Sequence, residues 1–173
     1  MASSIPTFFA NINLALENFT KMNIEIERKF LLKNDNWRGL AEGTHYAQCY
    51  LNQKKSTIRV RIAGEHGYIT IKGKTQSFSR KEFEYEIPLE DAKELFEFSH
   101  TAVVEKYRYK IPIGKHVWEV DEFLGDNKGL VIAEIELNSE DEEFDKPEWI
   151  GQEVTGDKRY YNSHLAENPY KNW

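Results

Sequence analysis

The 173-residue sequence contains one cysteine, Cys49. A lone thiol cannot form an intrachain disulfide or a thiolate metal site, so neither staples this chain. That fits a reducing compartment, and a cytoplasmic location is expected. No apolar run approaches the roughly 20 residues that a membrane span needs, so no membrane partner is expected. An excess of positive charge is also missing. The 23 Lys and Arg residues are outnumbered by 29 Asp and Glu, giving a net charge of -6, which argues against a general nucleic-acid partner. The five His residues follow no metal-ligand spacing. No internal repeat or low-complexity linker divides the chain.

The length suits one domain with a full core. Residues 1–21 differ from the rest: they carry Ile5, Phe8, Phe9, Ile12, Leu14, Leu16 and Phe19, with only Glu17 and Lys21 charged. No basic start precedes the apolar stretch, so it is not a signal peptide, and it lacks the Arg content of a mitochondrial transit peptide. Two readings fit: a short amphipathic helix added to the domain, or sequence upstream of a true start at Met22. The domain proper is expected over residues 22–173, including a C-terminal helix.

From Ile24 onward the chain alternates at period two, the pattern of strands. Glu25, Glu27 and Lys29 oppose Ile24, Ile26 and Phe30. Tyr46, Gln48 and Tyr50 oppose Ala47, Cys49 and Leu51. Arg59 and Arg61 oppose Ile58, Val60 and Ile62. After the turn Gly64-Glu65-His66-Gly67, Lys72 and Lys74 oppose Ile69 and Ile71. Arg80, Glu82, Glu84 and Glu86 oppose Phe83, Tyr85 and Ile87. Leu89, Ala92, Leu95 and Phe96 then switch to helical spacing. Alternation resumes with Lys106, Arg108 and Lys110, with Glu119 and Asp121, and with Glu134 and Glu136. The tail from Asp157 to Glu167 reads as a short helix ending before Pro169. Eight strands suffice to close a small barrel. The expected fold is therefore α+β, mainly β: an eight-stranded closed antiparallel β-barrel with flanking helices.

One face of these strands is almost entirely charged. A sheet with one solvated face would account for any single strand. Solvated faces usually mix in Thr, Ser, Gln and Asn, however, and here acids and bases segregate by strand. If the charged face turns inward, its groups must be paired or must bind ions. A basic wall facing an acidic wall suits a polyphosphate with a hard divalent cation. Arg and Lys take the phosphates, and carboxylates take Mg²⁺ or Mn²⁺. A triphosphate carries about four negative charges near neutral pH, so several bases and a metal ion are expected.

The ordered set Glu25-Ile-Glu-Arg-Lys29, Ile58-Arg-Val-Arg61, Thr70-Ile-Lys72, Glu105-Lys-Tyr-Arg108, Glu119-Val-Asp121, Glu134-Ile-Glu136 and Asp157-Lys-Arg-Tyr160 resembles the CYTH superfamily, the triphosphate tunnel metalloenzymes. The resemblance covers Met22 to about Leu165; the extension before it departs from family members, which often begin just before the first motif. It implies an eight-stranded tunnel and metal-dependent catalysis on a triphosphate. It suggests Glu25, Glu27, Glu134 and Glu136 as metal-binding carboxylates, with Asp121 near a second metal. It suggests Lys29, Arg59, Arg61, Lys72, Lys106 and Arg108 as phosphate ligands, with Arg159 reaching the tunnel from the C-terminal helix. Glu82 and Glu84 could hold a metal or the attacking water, or could pair with Arg80 or Lys74. Tyr50 could meet Lys72 or a phosphate, or could be a core or rim tyrosine.

Phosphoryl transfer needs positioning and charge stabilisation rather than a covalent nucleophile. One metal would neutralise phosphate oxygens, and a second, roughly 3.5–4 Å away, would activate an in-line water. The expected function is hydrolysis of inorganic tripolyphosphate. The rival readings are a class IV-type adenylate cyclase, a thiamine or nucleoside triphosphatase, and a non-catalytic polyphosphate-binding module. A homodimer could cover apolar outer surface.

Overall fold

Alternating segments settle as strands because the aliphatic and aromatic face needs cover while the charged face needs water or partners. In a computed structural model of the protein, residues 24–53, 56–73 and 79–173 are described. The 1–21 extension and Lys74 lie outside the described residues, as do the side chains of Glu25 and Arg80. Among the described residues there are nine strands: β1 (Ile24–Leu32), β2 (Gly43–Asn52), β3 (Thr57–Ala63), β4 (His66–Lys72), β5 (Ser79–Ile87), β6 (Val104–Ile113), β7 (His116–Phe123), β8 (Val131–Glu136) and β9 (Ile150–Glu153). Helix α1 (Leu89–Phe96) follows β5, and a single short turn, α2 (Asn162–Leu165), lies near the C-terminus. No described helix is long and apolar enough to cross a membrane.

The strands form one antiparallel sheet in the order β5-β4-β3-β2-β6-β7-β8-β1-β9. Two expectations are corrected. The ninth strand was not foreseen, because the four residues Ile150–Glu153 are too few to display alternation. The expected fully closed eight-stranded ring is instead a nine-stranded sheet in which the edge strand β5 also pairs, over a short stretch, with β1, the strand next to the opposite edge. There β1 pairs with β5 through Ile24–Lys81, Glu25–Arg80 and Ile26–Ser79. Farther along β1, β9 is the partner, with Phe30 opposite Glu153 and Leu32 opposite Ile150.

Turn chemistry sets the registers. Ala63 pairs with His66 across a two-residue connection, and Gly64 takes φ +57°, the positive φ that mirror-image hairpin turns require. The β6–β7 hairpin repeats the device, with Ile113 opposite His116 and Gly114 at φ +60°. Gly67 serves packing: a Cβ there would stand 2.8 Å from the Ala92 Cβ of α1, so only glycine lets the helix approach β4 this closely.

The apolar faces bury in three groups. Phe30, Trp118, Val120 and Ile135 are covered by Trp37 and Trp149 from the loops after β1 and before β9. Cys49 and Val60 are covered by Ala92 of α1, with Leu95 and Phe96 beside them. Tyr50, Phe123 and Ile132 pack with Tyr160 and Leu165, which ties the C-terminal segment to the strands. Val60, Trp118 and Ile135 are fully excluded from solvent; burial is worth roughly 1.5–3 kcal/mol for an aliphatic side chain such as Val60 or Ile135.

Candidate active site

Because side chains alternate across each strand, burying the apolar residues commits the charged ones to the other face, where they surround a cavity of about 600 Å³. The strand order gives the cavity two unlike arcs. Arg59 and Arg61 on β3, Lys72 on β4, and Lys106, Arg108 and Lys110 on β6 form the basic arc. Glu119 on β7, Glu134 and Glu136 on β8, Glu27 on β1, and Glu82 and Glu84 on β5 form the acidic one.

The deepest charges are knitted together. Asp121 is wholly buried and accepts bonds from Arg108 Nε and Nη2, each at 2.6 Å, and from Lys106 Nζ. Arg108 Nη2 also donates to Glu134 Oε2 at 2.8 Å, and Nη1 donates to Glu119. Lys29 Nζ donates to Glu134 and lies 3.1 Å from Glu27. Burial opposes the charge on Arg108 and Lys29, but the carboxylates around them prevail and raise both pKa values. Burial likewise opposes ionisation of Glu134, yet Lys29, Arg108 and Lys106 hold it well below the usual carboxylate range. Lys106 goes the other way. Desolvation and the neighbouring Arg108 outweigh Asp121 and Glu134, and its pKa falls to about 8.

On the other side, Arg59 Nη2 donates to Thr70 Oγ1 at 3.1 Å and to Glu84 Oε2 at 3.2 Å. Thr70 Oγ1 donates to Glu84 at 2.7 Å, and Arg61 Nη2 donates to the second Glu84 oxygen at 2.8 Å. Burial would raise the Glu84 pKa, but Arg61, Thr70 and Arg59 bring it down. Glu82 sits 2.6 Å from Lys72. Thus Glu82 and Glu84 hold the basic arc in place. Their partners among the described residues are Lys72, Arg59 and Arg61; Lys74 and the Arg80 side chain, the neighbours named from sequence, lie outside the described residues. The buried Nε–H groups of Arg59 and Arg61 find no acceptor among the described residues. Both guanidinium groups therefore keep donor capacity for an anion.

Of the residues singled out from sequence, Glu27, Lys29, Arg59, Arg61, Lys72, Lys106, Arg108, Glu134 and Glu136 all line the one cavity. Glu25 lies on β1 opposite Arg80. Asp121 sits behind the lining, tied to Lys106 and Arg108. Arg159 does not line the cavity; its side chain is mostly exposed and binds Asp157 at 2.6 Å. The C-terminal segment reaches the cavity through Tyr161, Asn162 and Ser163 instead, since the expected long helix is only a 3-10 turn (Lys158–Tyr160) followed by α2. Tyr50 packs in the apolar cluster and also lines the cavity, and its hydroxyl accepts from Gln48 Nε2 at 2.6 Å. Thr70, part of the Thr70-Ile-Lys72 motif but given no role from sequence, bridges Arg59 and Glu84. Among the described residues no three His, Cys, Asp or Glu side chains are gathered as a metal cage. The carboxylates are drawn instead to Lys29, Lys106 and Arg108.

The CYTH domain matches residues 23–163, the span that holds every strand of the cavity. The chain belongs to the CYTH-domain family. Among its CYTH relatives is an inorganic triphosphatase of Acetivibrio thermocellus, 51% identical over 154 residues that cover 88% of this chain and 99% of that one. An inorganic triphosphatase of Nitrosomonas europaea is 36% identical over 148 residues, covering 82% and 96%. A crystal structure of an inorganic triphosphatase superposes with a TM-score of 0.61 at 34% identity, covering 82% of this chain and 97% of that one.

Proposed function

We propose that this CYTH protein hydrolyses inorganic tripolyphosphate to orthophosphate and pyrophosphate. The observation that carries the reading is the basic arc: five buried or nearly buried cations converge on one cavity, and two of their N–H groups have no described acceptor. Its relatives named inorganic triphosphatase support the same substrate. In this reading the β1–β5 pairing closes eight strands into a tunnel, and the charged face becomes its lumen. Arg59, Arg61, Lys72, Lys106 and Arg108 bind the phosphate oxygens and spread the charge of the transferring group. The Arg59–Thr70–Glu84–Arg61 chain fixes both guanidinium groups before substrate arrives, so little reorganisation accompanies binding.

Around Lys29, the acidic arc offers carboxylate oxygens, the donor set of a hard divalent cation. Glu27 and Glu136 stand directly opposite each other in register; like charges so placed repel unless a cation lies between them, as Arg108 lies between Glu119 and Glu134. Glu25, Glu27, Glu134 and Glu136 would hold Mg²⁺ or Mn²⁺, with Asp121 acting behind them through Lys106 and Arg108. When bound, the ion would offset phosphate charge and acidify a water for in-line attack. Lys29, held by Glu27 and Glu134, keeps those carboxylates oriented.

Product analysis tests the reading. Tripolyphosphate should release orthophosphate, with no turnover in EDTA and recovery with Mg²⁺ or Mn²⁺. Calcium should bind yet support turnover poorly, because its longer, looser coordination misplaces the water. Full activity in chelator would remove the metal from the mechanism, cyclic AMP formed from ATP would make the protein a cyclase, and tight binding without turnover would make it a module.

Lys106 adds a pH signature. Its pKa near 8 lies below its unfolded value of about 10.4. The unfolded chain therefore binds more protons between these values, so this lysine costs stability at neutral pH and the cost is relieved as pH rises through about 8. Substrate affinity should move oppositely. Neutral Lys106 no longer attracts phosphate, so tripolyphosphate should bind more weakly at pH 9.5 than at pH 7 unless it takes up a proton. Calorimetry in buffers of different ionisation enthalpy reads that uptake above pH 8. pH-invariant binding of tripolyphosphate without proton uptake would contradict the assignment of Lys106 to the phosphate wall.

A further inference from the structure

Arg61 and Arg108 belong to the same basic arc but are held in opposite ways. All three nitrogens of the Arg108 guanidinium donate to carboxylates: Nε and Nη2 to Asp121, Nη1 to Glu119, and Nη2 again to Glu134. Arg61 Nη2 donates to Glu84, and the buried Nε–H has no acceptor among the described residues. Burial, Arg59 and Arg108 oppose the Arg61 charge and lower its pKa, although Glu84 pulls the other way. Two aromatic rings flank this guanidinium. Its carbon lies over the Tyr68 ring, 5.2 Å from the centroid, and over the Tyr46 ring at 5.4 Å. Strand order explains the bracket. Strand β3, which carries Arg61, runs between β4 and β2. Tyr68 of β4 is the register partner of Arg61. Tyr46 of β2 sits on the diagonal, two residues from Gln48, which stands opposite Arg61. The Tyr46 ring also has Arg108 over it at 5.4 Å.

We propose that the Tyr46 and Tyr68 rings are positioning elements that hold the Arg61 guanidinium at the cavity with N–H groups free for phosphate, a role that rests on the tripolyphosphate reading. A carboxylate holds an arginine through its N–H groups, so it occupies donors that phosphate needs and cancels charge that phosphate must meet. A π face attracts the cation through the ring quadrupole, consumes no N–H and adds no net charge. Desolvation strengthens that attraction, and the Arg61 side chain is only 15% exposed. A planar guanidinium suits the task, because it can stack on a ring while its edge donates to phosphate. The Tyr46 ring, shared by Arg61 and Arg108, sets negative π density beside two like charges that repel. Tyr68 separates positioning from direct contact: it is not among the residues lining the cavity, so it reaches substrate through Arg61.

A double-mutant cycle on tripolyphosphate hydrolysis in saturating Mg²⁺ tests this, with Tyr68→Leu, Arg61→Ala, their combination and Tyr68→Phe beside the native chain. Tyr68→Leu should lower kcat/KM about three- to thirtyfold, the scale of one cation–π contact. The loss should fall in the same parameter, KM or kcat, that Arg61→Ala alters. Tyr68→Phe keeps the ring and should stay within about twofold of native. With Arg61 already replaced by alanine, Tyr68→Leu should change kcat/KM by less than about twofold, because the partner it acts through is gone. Native kcat/KM in Tyr68→Leu would overturn the proposal. So would equal losses with leucine and phenylalanine, which would assign the role to the hydroxyl, and an undiminished loss in the Arg61→Ala background, which would make Tyr68 a packing residue. In each of these cases the native chain still cleaves tripolyphosphate. A native chain that does not cleave it would overturn the substrate reading and this role together. A melting transition above the assay temperature checks each fold; if Tyr68→Leu fails to fold, Tyr46→Leu and Tyr46→Phe take its place in the same cycle.

Discussion

Asp121→Asn should lower the unfolding free energy by about 3–5 kcal/mol, the cost of removing one member of a buried ion network. Asp121 is wholly excluded from solvent and receives bonds only from Lys106 and Arg108 among the described polar groups. Asparagine keeps the shape and deletes the charge. Two buried cations would then face each other with less compensation, and Lys106, already depressed toward pH 8 by burial and Arg108, would lose its proton more readily. Guanidinium denaturation of native and variant protein in EDTA reads the loss with no divalent ion in play. A change within about 0.5 kcal/mol, the range of an ordinary surface substitution, would mean that Asp121 is dispensable to the folded state. In that case direct metal binding, the role suggested by sequence, would become its better explanation.

Glu27→Gln should cut turnover on tripolyphosphate on the order of 10²-fold or more, as loss of one preorganised electrostatic group does. Glu27 lines the cavity opposite Glu136 and beside Lys29. Glutamine preserves its size while weakening the hold on a cation, so raised Mg²⁺ should recover part of the activity. Arg61→Ala provides the contrast. Arg61 sits on the far arc, bonded to Glu84 and stacked over Tyr46 and Tyr68. Its loss should appear in substrate affinity or turnover and should resist extra Mg²⁺. Steady-state kinetics titrated with Mg²⁺ separates the two. Near-native behaviour in both variants would return the charged face to the role of a solvated sheet surface and remove the tunnel.

Period-two alternation was enough to locate β1 through β8 and to sort each side chain onto one face or the other. The reason is local: a strand's side-chain direction follows from the backbone alone. The same rule made Arg59, Arg61, Lys106, Arg108, Glu134 and Glu136 legible as one set, and helical spacing marked α1. Which cation meets which carboxylate was not legible. It depends on strand order, which brings β3 and β5 together across β4 and β6 and β8 together across β7. Glu84 therefore binds Arg59 and Arg61, distant in sequence, and Asp121 turns to Lys106 and Arg108. The ninth strand and the brief β1–β5 pairing also escaped, since pairing at a sheet edge is decided by which backbone groups remain available once the other strands have packed. At the C-terminus, the family resemblance suggested that Arg159 reaches inward. The tertiary structure turns Tyr161, Asn162 and Ser163 to the cavity instead, because Tyr160 and Leu165 are anchored in the apolar cluster and fix the rotation of the turn between them.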